Sequence, residues 1–245
     1  MNTALIDTTF DVRCDTPTGQ DPDSASATLK GLHRRLWSKP LPVSGSIFRL
    51  EPASGGYLRH QSALGDFWMN SDSVVHTYRG WTRFGLPEVV RRIDETELAA
   101  FETLSFTIGA MMLFPSWTGE RHWSINQARG LTARIADRMD LTLECIRRRY
   151  AGIASPMTKT LAWYDDFFAL FGDLIGFAEF FLLDDLLTPD RANVDFFLPF
   201  DDFTRVAAVP VDVAEYRTYM AASMQFVRSR NARIRSEYSP ASATT

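Results

Sequence analysis

The chain has 245 residues, of which 45% are hydrophobic and 23% charged, enough to bury a substantial core as one large domain or two small ones. Its net charge of −4 argues against a protein whose main task is to coat nucleic acid, while leaving room for a local basic pocket. The two cysteines, Cys14 and Cys145, lie far apart without metal-ligand spacing, so a reducing compartment and two ordinary buried thiols are expected.

In chain order, residues 1–23 are rich in turn chemistry, and the segment DTPTGQDPDS places Pro, Gly and Asp in loop-favouring order. The first residues carry acids where a secretion signal has an apolar run, so a cytoplasmic protein is expected. Asp23 or Ser24 then caps a predicted helix through ATLKGLHRRLWS, with Leu29, Leu32 and Leu36 on the helical period and Pro40 as its stop. The short alternating runs SIFRLE, GYLRH and DFWMN predict a small antiparallel sheet or irregular hairpins. Helical pattern begins at Leu86 and continues through EVVRRIDETELAAFETL; FTIGAMMLF reads equally as a buried strand or a short apolar helix. Pro115 to Trp123 is expected to be a loop.

Residues 124–150, SINQARGLTARIADRMDLTLECIRRRY, form a strongly amphipathic pattern with Ser124 as N-cap. Gly130 is a weak point, at which one helix can become two. TKTLAWYDDFFALFG and DLIGFAEFFLLDDLL follow, apolar on nearly every side as helices in the middle of a protein are. Asp173 and Glu179 interrupt this stretch too often for a membrane span. NVDFFLPF is a short strand or extended run. The segment from Asp212 to Tyr238 is an amphipathic helix with Tyr216, Tyr219, Met220, Ser223 or Met224, Val227 and Ile234 near one side. SPASATT, residues 239–245, is a frayed tail. No repeat and no linker divides the chain. The expected fold is therefore α+β and predominantly α-helical: one compact domain over residues 1–238, with a small N-terminal antiparallel β element.

Much familiar chemistry is missing. Neither common Gly-rich phosphate loop occurs, and His33, His60, His76 and His122 lack zinc-ligand spacing. PVSGSI and PASGGY have no nucleophile-elbow context. Asp21 and Asp23 of the DPD triplet offer two oxygen ligands to a cation, but the further positions of a calcium loop are absent, and a turn before a helix cap is the ordinary reading. No metal is expected, and the sequence names no cofactor. The cluster His33, Arg34, Arg35, Trp37 and Lys39 is a candidate nucleotide grip, set against the ordinary reading in which Trp37 packs inward and the charges face water. The C-terminal RSRNARIR suits the negative end of a helix dipole.

On a helical wheel, Asn126, Arg129, Ala133, Asp137, Asp140, Glu144, Arg147 and Arg148 share one arc, opposite Leu131, Ile135, Met139, Thr142, Ile146 and Tyr150. A solvated outer face is the ordinary reading. Asp173 and Glu179, however, stand among apolar neighbours, and a buried carboxylate must be paired or protonated. Arginines pointing inward are thus required, with Arg129, Arg138 and Arg147 as candidates. The resulting expectation is a polar pocket floored by residues 124–150. In it Asn126, Arg129, Arg138, Arg147 and Glu179 bind an anionic, nucleotide-like ligand, and Asp137 or Glu144 holds the arginines or, where burial raises its pKa, acts as general base. The competing expectation is a non-enzymatic interaction protein in which these charges form a structural ion-pair network and the aromatic helices a partner or self-association surface. Nucleic acid and membrane partners are not expected.

The pieces DTPTGQDPDSASATLKGLHRRLWSKPLP, TIGAMMLFP, SINQARG, DRMDLTLECIRRRY and FFLPFDDF resemble the signatures of an uncharacterised bacterial and phage-associated family of unknown function, in the same order from about Phe10 to Ile234. The resemblance implies a single cytoplasmic domain and carries no activity or site residue with it.

Overall fold

The computed structural model describes residues 6–116, 123–205 and 207–238. Two helices open the chain, α1 (Pro22–Ala25) and α2 (Ala27–Trp37). Asp21, not Asp23, caps the first, with Pro22 in its first turn; Ser26 caps the second by accepting from the Leu29 N–H. The cap predicted at Asp23 or Ser24 thus lies two residues to either side, and Asp23 is left free for another partner. Of the basic cluster, His33 and Trp37 are buried while Arg34 and Arg35 lie at the surface, as the ordinary reading had it.

Four strands form one antiparallel sheet in sequence order: β1 (Glu51–Pro52), β2 (Leu58–Ser62), β3 (Gly65–Ser73) and β4 (Met111–Ser116). GYLRH and DFWMN supply β2 and β3, whereas SIFRLE reaches the sheet only at Glu51. The ambiguous FTIGAMMLF resolves into a one-turn 3-10 helix at Ile108–Ala110 followed by β4. Met111 through Pro115 are all buried, so β4 is an edge by pairing yet covered on both faces, and its sequence reads as a continuous apolar run rather than an alternation.

Between β3 and β4 lie α3 (Leu86–Val90) and α4 (Glu95–Ser105), the latter capped by Asp94. The 124–150 segment is two helices, α5 (Ile125–Leu131) and α6 (Met139–Tyr150), separated by residues 132–138. Ser124 caps α5 in a full capping box with Gln127. The long apolar helices expected downstream are short pieces instead: α7 (Thr158–Ala162), α8 (Asp165–Ala169) and α9 (Leu174–Phe180). Helices this short do not hold by propensity alone. Their Phe167, Phe171, Phe177, Phe180 and Phe181 interlock with Phe48 and Trp37, ring centroids lying 4.9–6.5 Å apart. NVDFFLPF is extended, with a single bridge between Leu187 and Val194. The last helix, α10 (Val213–Glu237), buries the predicted Tyr216, Tyr219, Met220, Ser223, Val227 and Ile234. It also buries Arg230 and Asn231, which periodicity does not foresee.

Among the described residues, Arg230 has no carboxylate partner. Its Nε and Nη2 donate to the Phe181 carbonyl and its Nη1 to the Gly109 and Met111 carbonyls, which satisfies backbone acceptors where three elements meet. Burial lowers its pKa to about 9. Beside it, Asn231 Oδ1 accepts from Gly109 N–H at 2.9 Å, so close that a Cβ at position 109 would lie 2.4 Å from that oxygen. No helix among the described residues is long and apolar enough to cross a membrane. The predicted tail, 239–245, and His122 lie outside the described residues, as does most of the 115–123 loop. The chain is one compact α+β domain with helical predominance.

Candidate functional site

Arg129 is the hinge of the 124–150 segment. It is fully buried on α5, and every donor nitrogen is engaged: Nε with Thr142 Oγ1 at 3.0 Å, Nη1 with Asp72 Oδ2 at 3.0 Å, and Nη2 with the Ser73 and Asp137 carbonyls at 3.2 and 3.0 Å. The side chain ties the end of β3 to the connection between α5 and α6. That connection turns sharply, and Ala136 (φ 48°) and Asp137 (φ 62°) occupy the left-handed region that side chains avoid. Tyr78 (φ 57°) shares the strain and donates from its hydroxyl to the Ala136 carbonyl at 2.9 Å. Strained residues persist only where surroundings over-determine them, and they gather at functional sites. Here α10 helps to hold them: Tyr219 bridges the His76 N–H and C=O at 3.0 Å each, and Tyr216 donates to the Thr77 carbonyl.

A cavity of about 400 Å³ opens beside this knot, and Asp21, Asp23, Asp72, Asp137 and Glu102 line it together with His76 and Arg79. Each carboxyl is placed by local structure. Asp21 and Asp23 flank Pro22 at the start of α1. The turn Ser54–Gly56 holds α1 down, where Gly56 (φ 85°) comes so close to the Ser24 carbonyl that a Cβ would lie 2.6 Å from it. Asp23 Oδ2 accepts from the Ser71 N–H at 2.6 Å. Glu102 on α4 is paired with Arg79 at 3.0 Å, and Arg79 also meets Glu95 at 2.8 Å. Asp137 Oδ1 lies 3.4 Å from Arg129 Nη2, is buried, and makes no hydrogen bond.

The electrostatics follow from this crowding. Burial pushes the Asp23 carboxyl up to about 8, and the neighbouring Asp21 and Asp72 charges add to the rise against the opposing Ser71 amide. Asp72 is raised to about 7 by burial and by Asp137, which shares Arg129 with it. His76 is held neutral, its pKa lowered by burial and by Arg129 against the pull of Asp137. Its Nδ1 accepts from the Tyr78 N–H at 2.8 Å, and Trp81 Nε1 approaches Nε2 at 3.2 Å. Among the described residues, no group of three or more His, Cys, Asp or Glu side chains is placed to hold a metal ion.

Ser71 and His33 look like a nucleophile and its base, at 3.1 Å between Oγ and Nε2. The tautomer rules this out. Trp37 Nε1–H donates to His33 Nδ1 at 3.0 Å, so the ring proton sits on Nε2 and is given to Ser71 rather than taken from it. Burial, with Arg230 second, holds His33 down to about 3, so the ring is neutral and structural.

Of the residues expected to form one site, the structure brings together only Arg129 and Asp137. Asn126 lies close by, donating to the Ser71 carbonyl at 3.2 Å. Arg138 is buried in a pair with Asp140, whose Oδ2 also accepts from the Phe197 N–H at 2.9 Å. Glu144 is buried midway along α6, clamped between Arg147 at 2.7 Å and Arg148 at 2.6 Å, which holds its carboxyl below the usual range. A carboxylate so held is a poor base. Glu179 is exposed and paired with Arg191 at 2.7 Å; Asp173 caps α9 at the surface. The premise that these two acids are buried is therefore wrong. Their helix is too short and too irregular to carry both inward. Leu131, placed on the apolar arc, is 51% exposed, because the wheel breaks at Thr132. Asp72, His76, Arg79 and Glu102 were not foreseen. Only Asp21 and Asp23 carried a signal, as a pair of oxygen donors.

No curated protein and no solved structure matches the chain. Residues 6–234 match the family described as "Family of unknown function (DUF6994)", and the chain belongs to that family.

Proposed function

We propose that the cavity among Asp21, Asp23, Asp72 and Asp137 binds a small organic cation, a ligand carrying one or more ammonium groups. One observation carries this reading: five carboxyl groups line the cavity, and the guanidiniums beside it are already committed, Arg79 to Glu95 and Glu102, Arg129 to Asp72, Asp137 and two carbonyls. The anionic, nucleotide-like ligand expected from the arginines finds no free donor on Arg129 and meets like charge at the wall. An ammonium group supplies what the wall lacks: donors for the orphaned Asp137 Oδ1 and a counter-charge that lets Asp23 and Asp72 ionise. Those two carboxyls, poised near neutrality, are also the groups that would move protons if the bound amine reacts. Both cysteines are free thiols, Cys145 buried as expected and Cys14 exposed against expectation, which agrees with action in a reducing compartment.

Arg138, Asp140, Glu144, Arg147 and Arg148 support the structural-network alternative for the rest of the predicted site, since each is consumed by its neighbours. A thermal-shift panel tests the proposal, setting primary amines, diamines and guanidines against nucleotides and dicarboxylates. An amine at a hundredfold over its dissociation constant adds about 2.7 kcal/mol. Stabilisation by nucleotides alone refutes the reading.

A further inference from the structure

We propose a second ligand site, independent of the acidic cavity, in the groove between α4 and α10: it takes a linear anionic amphiphile, an acyl chain ending in a carboxylate. The groove encloses about 500 Å³, a size usual for small-ligand sites. Ala100 and Leu104 of α4 form one wall and Met224, Arg228, Asn231 and Arg235 of α10 the other. The α10 residues are spaced four, three and four apart, which sets them along one helix face over about 16 Å.

The charge of this groove is the reverse of the acidic cavity. Among the described residues no carboxylate lines it, and two guanidiniums do. Elsewhere on the chain, arginines such as Arg13, Arg79, Arg147, Arg191 and Arg233 meet acids. Arg228 has no hydrogen bond or ion pair among the described residues, and Arg235 donates to the neutral Thr8 Oγ1. Two uncompensated cations beside an apolar hollow call for an anion with an apolar body.

The body is aliphatic rather than a nucleobase, because no aromatic ring among the described residues lines the groove to stack one. Asn231 cannot read the ligand, since its amide is spent inward, Oδ1 on the Gly109 N–H at 2.9 Å and Nδ2 on Thr107 Oγ1 at 3.1 Å. Recognition of the head group therefore falls to Arg228 and Arg235, and the methylene chain lies along Leu104 and Met224, whose flexible thioether adapts to it.

The test is titration calorimetry of the full chain with dodecanoate below its micellar concentration, beside dodecylammonium. Dodecanoate is expected to bind and dodecylammonium not to. Arg228→Glu, Arg235→Glu and the exposed Thr103→Glu, which puts an acid in the groove, each weaken dodecanoate by about tenfold or more, the loss expected when a charge-assisted contact goes. Circular dichroism confirms that these surface variants fold. Absence of dodecanoate binding, affinity unchanged in all three variants, or equal affinity for dodecylammonium overturns the proposal. So does binding of an acidic amphipathic peptide in its place, which would make the groove a protein interface.

Discussion

Replacing Asp23 by Asn isolates the electrostatic cost built into the acidic cavity. The side chain is 9% exposed, accepts from the Ser71 N–H, and faces Asp21 and Asp72 with no cation contributing to its environment. Its carboxyl rises from 3.8 to about 8 on folding, so the folded chain holds a proton that the unfolded chain has released. A raised folded pKa contributes stability that is full below 3.8 and lost as pH climbs through about 8. Each pH unit inside that window removes about 1.4 kcal/mol, or about 2.7 kcal/mol between pH 5 and pH 7. Asn keeps the acceptor for Ser71 and presents an N–H₂ to the neighbouring acids, so Asp23→Asn lacks the decline. Other carboxyls impose opposite slopes at lower pH: Asp15 and Glu144 are held low by hydrogen bonds, so the stability they contribute builds as pH rises through their lowered folded values and is complete above their unfolded ones. The informative quantity is therefore the difference between the two proteins. Urea unfolding at half-unit steps from pH 5 to pH 9 measures it. The variant gains steadily on the wild type up to about pH 8 and then levels off. Parallel profiles would show that Asp23 ionises freely in the folded chain and that the cavity wall is not crowded as described.

Asp140→Ala strands the buried Arg138 guanidinium and the Phe197 N–H, and is expected to cost about 3–5 kcal/mol in denaturant unfolding. Gly109→Ala drives a Cβ into Asn231 Oδ1 and breaks the bond between them, lowering stability by about 1–3 kcal/mol; a thermal midpoint within error of wild type would contradict the packing. Glu179→Gln, in contrast, removes an exposed ion pair with Arg191 and shifts stability by no more than about 0.5 kcal/mol, whereas a large loss would restore the buried role expected of Glu179 from sequence.

What was legible in the sequence followed from local rules. The N-cap at Ser124, the stripe of α10 and the alternating runs of β2 and β3 each rest on spacing within a few residues, and each is present. The breaks were harder to read. Residues 124–150 keep helical periodicity across 132–138, yet the chain turns there because Arg129 and Tyr78 capture the carbonyls of Asp137 and Ala136 from outside. The acids of the cavity come from α1, β3, α4 and the α5–α6 connection, 116 positions separating Asp21 from Asp137. No periodicity links such residues. Arg129 was identified correctly as an inward arginine, but for the wrong partners: Asp72 and Asp137 claim it, not Asp173 or Glu179.

The acidic cavity is defined above all by the sign of the ligand it accepts. Titration calorimetry with 1,4-diaminobutane, run on the wild type and on the Asp72→Asn, Asp137→Asn double variant, tests it in one measurement. The wild type is predicted to bind the diamine, and the double variant to lose at least about tenfold in affinity as two ammonium acceptors are neutralised. Equal affinity in both proteins, or tighter binding of an adenine nucleotide than of any amine, would contradict it.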